Sequence, residues 1–350
     1  MAALRGADGC VALSVDFLMV CLLCLFCCFG FFPQSARLSY EHLSLIMRGA
    51  RRKLIIMDDK EQIFERYEAL RHRLPNADFA QQAHKVQSLL DITDSIDAFI
   101  FDAFGVLNIG ENPIPGAGDR LDQLRLAGKQ IRILSNAASY NHERATEKFH
   151  KLGININPEE VITSRTSAIQ GLAPIIWGCI AAPSDDLCDI PAETLRLGDD
   201  KADYDRVGGI LFLSTETWNE TRQAILSESL LQNNRPVRIA NADIAAPRGL
   251  EFSLEPGQFG HSLVDLGLPD VRFFGKPFPE VFDMVNESLA VIDPKRIVMC
   301  GDTLHTDILG AMAYGWKAVL VERDGMFCGA NAADFIKRSA IVPTWRVDRI

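Results

Sequence analysis

The sequence predicts an α/β fold built on a doubly wound parallel sheet, and three observations carry that prediction. Short apolar runs end in polar residues at Asp102, at Ser135 with Asn136, and at Asp302. Helical patterns follow those runs, as in PGAGDRLDQLRLAGKQ and NHERATEKFHKLGI. Strand, helix and strand succeed one another within about forty residues, the extent of a βαβ unit. In such sheets ligands bind beyond the carboxyl ends of the strands, so the polar strand ends are the candidate site.

The first fifty residues stand apart from this pattern. VALSVDFLMVCLLCLFCCFGFF, residues 11–32, is apolar almost throughout. A spanning helix needs roughly 20 such residues, and the run reaches that length only with Asp16 inside it. Arg37, Arg48, Arg51, Arg52 and Lys53 follow the run and only Arg5 precedes it, so as a membrane anchor it would leave the large domain in the cytoplasm. Two other readings stay open. One is a cleaved secretory signal, weakened because PQSA lacks a small residue at minus three, and the other is an upstream extension ahead of Met47 or Met57. The later cysteines, Cys179, Cys188, Cys300 and Cys328, show no CxxC spacing, so neither a disulfide framework nor a zinc site is expected.

Past Met57, DDKEQIFERYEALRHRL brings Ile63, Tyr67, Leu70 and Leu74 to one helical face, with acids early and bases late, predicting a surface helix that leads into the fold. AFIF then reads as a buried strand that delivers Asp102 to a turn. The helix that follows ends at Gly128, and IRILSNAAS is the next strand, ending in Ser135 and Asn136. After another helix PEEVITS adds a short strand. KRIVMCGDTLHTDILGAMAYGWKAVLV repeats the pattern late in the chain, with a strand ending at Gly301 and Asp302, a helix, Gly315 and a further strand. With 350 residues of which 48% are hydrophobic, the chain can bury a large core and hold about two domains. Its formal net charge of −10 argues against nucleic acid as a partner, because phosphate-backbone binding needs clustered Lys and Arg.

Four sites now combine. Asp102 offers a carboxylate nucleophile, Ser135 and Asn136 a hydroxyl and an amide for oxyanions, and Asp302 with Asp307 acids for a hard cation. Lys276, fixed between a glycine and a proline in FFGKPFPEVF, can balance negative charge. Together these are the groups that phosphoryl transfer through an aspartyl-phosphate requires.

DAFGVL, LSN, GKP and GDTLHTD resemble, in this order, the four motifs of the haloacid dehalogenase superfamily of hydrolases, over roughly Asp97 to Val342. The resemblance implies that Asp102 is the nucleophile and a Mg2+ ligand, that the backbone carbonyl of Phe104 and the side chain of Asp302 are further ligands, and that Asp307 holds the same site. It also implies that Ser135 and Asn136 contact the transferring group and that Lys276 orients Asp102. About 140 residues separate Ser135 from Lys276, and this stretch resembles the large α/β cap of NagD-like hydrolases. The expected domains are therefore 57–137 and 269–350 for a Rossmann-like core and 138–268 for the inserted cap. NADIAAPRG, with EPGQFGHSLVDLG, resembles the loop pair that faces the substrate, which makes Asn241 and Asp243 either substrate contacts or turn formers. His261 and His142 are expected at the surface.

One residue departs from the pattern. Phosphatases with these motifs carry a second aspartate two positions after the nucleophile, as general acid and base, and here that position is Phe104. Three readings follow. The first is a phosphohydrolase of reduced or redirected activity, served by leaving groups that need no acid or by another donor such as His305. The second is a binding or regulatory homologue, and the third a dehalogenase-like hydrolase, which the place of the cap disfavours. We adopt the first, with a small-molecule phosphate as substrate and Mg2+ as cofactor. Phe104 is expected to pack on apolar cap residues. Membrane contact would come only through the N-terminal segment, and a homo-oligomer stays open.

Overall fold

The computed structural model describes residues 59–248 and 251–350. The anchor, signal and extension readings of residues 1–56 lie outside them, and among the described residues no helix is long and apolar enough to cross a membrane.

Seven parallel strands form the first sheet, in the order His84–Lys85, Trp345–Val347, Lys317–Val321, Ile297–Gly301, Ala98–Phe101, Gln130–Ser135 and Val161–Thr163. Ala98–Phe101 is buried at every residue, as a strand covered on both faces must be, which is why its sequence is an unbroken apolar run. The two-residue alternation is visible in the packing. Ala98 and Ile100 join one apolar cluster with Ile297 and Met299, while Phe99 and Phe101 join another with Val298 and Cys300. The helices Pro279–Ser288 and Ala332–Ser339 supply Val281, Phe282 and Phe335 to the first cluster, and Ala117–Leu126 and His142–Lys151 supply Leu121, Leu124 and Phe149 to the second. Truncating a ring such as Phe99 to alanine would cost about 3–5 kcal/mol.

A second parallel sheet runs Val271–Phe273, Val237–Ile239, Gly209–Phe212, Trp177–Ile180, Thr194–Arg196, and the antiparallel hairpin of Ala245–Arg248 with Glu251–Leu254 packs Ala245, Phe252 and Leu254 on the first cluster. The expected cap limits of 138 and 268 are both too early. Val161–Thr163 pairs with Gln130–Ser135, Ile133 opposite Val161, and so covers the edge of the first sheet, whereas Val271–Phe273 belongs to the second.

The helix Lys60–Ala69, capped by Asp59 accepting from Gln62 N at 2.8 Å, turns its expected apolar face inward and leaves Glu65 and Ala69 exposed. It buries Ile63, Phe64 and Tyr67, and Arg66 donates to Gln258 at 3.1 Å and to Asp265 at 3.0 Å on the helix Pro256–Asp265. The described cysteines are free, with Cys179 and Cys300 buried.

Candidate active site

Sheet register brings the polar residues together. Phe101 lies opposite Cys300 on one side and Ile133 on the other, so Asp102, Asp302 and Ser135 all follow the same ends of adjacent strands. Asp102 donates its backbone N–H to Cys300 O at 2.9 Å, extending the ladder by one residue. Lys276, 2% exposed, sits in the turn between the second sheet and the helix Pro279–Ser288. Its Nζ donates to Asp102 Oδ1 at 2.5 Å and to Leu134 O at 3.0 Å, and lies 2.8 Å from Asp307 Oδ1 in a charge contact without hydrogen-bond alignment. Burial by itself lowers the ammonium's pKa, but Asp102, Asp307 and Asp243 hold it above the ordinary lysine value. Burial likewise pushes Asp102 up, and Lys276 only partly offsets that push, leaving the carboxyl at about 6 with Asp307 adding to the rise.

Asp302 directly follows the strand Ile297–Gly301, and Asp307 lies in the helical turn Leu304–Ile308 just after it. Asp302 accepts from Thr303 Oγ1 at 2.9 Å and from Met326 N at 2.7 Å, and Asp307 accepts from Thr303 N at 3.0 Å. Carboxylate oxygens of Asp102, Asp302 and Asp307 all lie within 4.8 Å of one another. One half-buried and two buried carboxylates against one lysine leave surplus negative charge, and burial, with Asp102 and Asp307, raises the Asp302 pKa well above its usual value. Hard oxygen donors at this spacing fit a hard divalent cation. Glycine at 105 is required by this packing. It has φ +75°, and a Cβ there would stand 2.4 Å from Asp302 Oδ2, so the turn after Phe104 presses its backbone against that carboxylate.

Asn136 is tied to its surroundings at every amide atom. Its Oδ1 accepts from Lys276 N at 2.7 Å, and its Nδ2 donates to Asp243 Oδ1 at 2.8 Å and to Lys276 O at 2.9 Å. It therefore fastens three segments together and has no amide hydrogen left for a transferring group. Ser135 Oγ accepts from Ala137 N at 3.2 Å, which keeps its own O–H available. Asn241 is a turn former, accepting from Asp243 N at 2.9 Å and donating to Glu255 at 3.1 Å, and Asp243 is the residue that this turn carries to the site.

The histidines differ from expectation. His305 Nε2 lies 2.5 Å from Glu68 Oε1, and its ring stacks on Tyr67 at 4.8 Å, so it faces the helix Lys60–Ala69 and cannot serve as the alternative donor. His261 is buried against Phe273, their ring centroids 4.2 Å apart, because it closes the seam between its helix and the second sheet. His142 is half-buried, its Nε2 3.1 Å from Val161 O.

Phe104 packs on the first sheet's own cluster, and Lys148 Nζ stands 4.8 Å from its ring centroid. Tyr67 is a site neighbour that no sequence pattern marks. Its hydroxyl accepts from Ile244 N at 3.1 Å, next to Asp243.

This sheet, with a second α/β unit inserted ahead of the lysine turn and a strand-end aspartate facing that lysine, defines a haloacid dehalogenase-type hydrolase. Family models bear this out, one for haloacid dehalogenase-like hydrolases matching residues 99–176 and one for HAD-hydrolase-like proteins matching residues 273–347. The chain is 28% identical to rat (Rattus norvegicus) chronophin over 246 residues, covering 67% of this chain and 78% of that one. It is 25% identical to a 4-nitrophenylphosphatase of Schizosaccharomyces pombe over 287 residues, 74% of this chain and 94% of that one. In fold it is similar to a possible sugar phosphatase of the same superfamily from Cytophaga hutchinsonii, with a TM-score of 0.66 at 24% identity over 76% of this chain and 98% of that one. In sequence the chain is thus similar to haloacid dehalogenase-superfamily phosphatases along most of its described length.

Proposed function

We propose that the protein is a phosphohydrolase that cleaves a small-molecule phosphate monoester through a phosphoryl group carried on Asp102. The observation that supports this reading best is the 2.5 Å Lys276–Asp102 pair placed beside two further acids, which gives a nucleophile held in one orientation within a surplus of negative charge. Lys276 keeps one oxygen of Asp102 engaged, so the other faces the phosphorus, and its ammonium offsets charge that builds on the equatorial oxygens. Ser135, with its hydroxyl hydrogen available, donates to the same oxygens. Asp102, Asp302, Asp307 and the Phe104 carbonyl would hold a magnesium ion, which when bound neutralises the acids and polarises the phosphoryl group. The sheet from Trp177 to Phe273 closes over this face as the cap. The names of the relatives, one of them a 4-nitrophenylphosphatase, support phosphate esters as substrates.

Phe104 favours one second reading, a homologue that binds phosphate esters without turning them over. The two separate in one experiment. A panel of phosphate esters is incubated with the purified full chain, with and without magnesium. Magnesium-dependent release of inorganic phosphate from any member supports the enzyme. Saturable ester binding without release supports the binding protein.

A further inference from the structure

We propose that Asp243, carried by the inserted domain, donates the proton to the leaving oxygen and takes one from the attacking water, the two tasks that position 104 cannot perform. This rests on the phosphohydrolase reading.

Elimination leads to it first. Lys276 is held as a cation by three carboxylates and releases no proton near neutrality. His305 is occupied by Glu68 and Tyr67, and burial, with Asp243 beside it, holds the Tyr67 hydroxyl well above its ordinary pKa, so it keeps its proton. Asp302 and Asp307 belong with Asp102 to the cluster that suits a cation. Asp243 stands outside that cluster and still feels the charges of Lys276, Asp102 and Asp307.

Its setting is built and not incidental. Asn241 Oδ1 fixes the Asp243 backbone at 2.9 Å, and Tyr67 Oη holds the next residue at 3.1 Å. The helix Pro256–Asp265 presses on the same turn so closely that a Cβ on Gly257 would lie 2.5 Å from Asp243 O. Asn136 donates to Oδ1 at 2.8 Å, and Oδ2 makes no hydrogen bond or ion pair among the described residues, so that oxygen of a half-buried side chain is the one to carry a proton. Burial, with Asp102 and Asp307 adding to it, pushes the carboxyl up to about 8 against the pull of Lys276, so the group is an acid at neutral pH.

The steps balance. As an Asp102 oxygen bonds to phosphorus, the ester P–O bond breaks, its electrons stay on the leaving oxygen, and the Asp243 proton moves there to release the alcohol. Water then attacks phosphorus, its proton passes to the Asp243 carboxylate, and the Asp102–phosphorus bond breaks to give inorganic phosphate. Both carboxyl groups end in their starting states.

The test compares 4-nitrophenyl phosphate, whose leaving group needs no acid, with ethyl phosphate, whose leaving group does. With the full chain and magnesium, Asp243→Asn is expected to lower turnover of the ethyl ester about 100-fold more than turnover of the aryl ester, within the range of a lost general acid. Phe104→Asp in that background is expected to recover ethyl ester turnover about 10-fold or more, a larger gain than the same change brings when Asp243 is present. Equal loss of both esters in Asp243→Asn, or an equal gain from Phe104→Asp with and without Asp243, overturns the assignment alone. Failure of the wild-type chain to hydrolyse either ester overturns the phosphohydrolase reading as well.

Discussion

Two buried cations in this molecule face carboxylates, and they are satisfied to very different degrees. Arg165, fully buried, donates to both oxygens of Asp185 at 2.6 and 3.1 Å, to both oxygens of Asp189 at 2.9 and 2.6 Å, and to Ala138 O at 3.1 Å. One guanidinium and two carboxylates close a network in which each oxygen has a donor. Lys276 instead meets Asp102 and Asp307 directly and Asp243 at longer range, with Asp302 close behind, and Asp102, Asp243 and Asp302 are left above the usual carboxylate range. The first arrangement holds the loop 182–190 to the helix Ser164–Ile169. The second is short of positive charge, which marks a place made for a ligand.

The largest expected effect separates the two. Asp102→Asn removes the nucleophile and is expected to lower ester turnover by roughly 10,000-fold or more, while the melting temperature holds or rises, because a surplus acid is gone. Arg165→Met should do the reverse. Leaving two carboxylates without their partner is expected to cost about 3–5 kcal/mol in chemical denaturation, and a smaller loss would mean that the network is replaceable by water.

A step down in size is Gly301→Ala. A Cβ there would lie 2.1 Å from Asp307 Cγ, so Asp307 must move away from Lys276 and from Thr303 N. Turnover is expected to fall about 100-fold, with the magnesium concentration for half-maximal rate raised, and an unchanged magnesium requirement would remove Asp307 from the cation site.

The pH dependence is smaller still. Asp102 at about 6 and Asp243 at about 8 keep protons in the folded state that an unfolded chain releases near pH 4. The folded state therefore binds more protons across this window, and magnesium-free protein loses stability as pH rises from about 4 to about 8. Magnesium should restore most of the loss at the upper end. Melting curves at several pH values check this, and a stability that climbs over the window contradicts it.

Much of the site was legible because its acids stand where strands end. Asp102 and Asp302 each close an apolar run, and Lys276 is marked by its flanking glycine and proline. What stayed hidden depends on contacts between distant positions. Asn136 meets Asp243 across 107 residues and Lys276 across 140, and no local pattern reveals that its amide is consumed. Tyr67 meets Ile244 across 177 residues, and its helical spacing marked only a buried face. The late start of the second sheet was missed because Val161–Thr163 is three residues long and shows its allegiance only through pairing with Gln130–Ser135. His261 looks like a surface residue in sequence and His305 like a free proton donor, and aromatic neighbours from other elements bury both.

The central claim is that Asp102 becomes phosphorylated, and rapid acid quenching followed by peptide mass spectrometry tests it directly. With magnesium and 4-nitrophenyl phosphate, whose fast first step lets the intermediate accumulate, a phosphate adduct is expected on the peptide that contains Asp102, and none in Asp102→Asn. Steady release of nitrophenol from the wild-type chain with no adduct on that peptide, together with turnover retained in Asp102→Asn, would contradict the account.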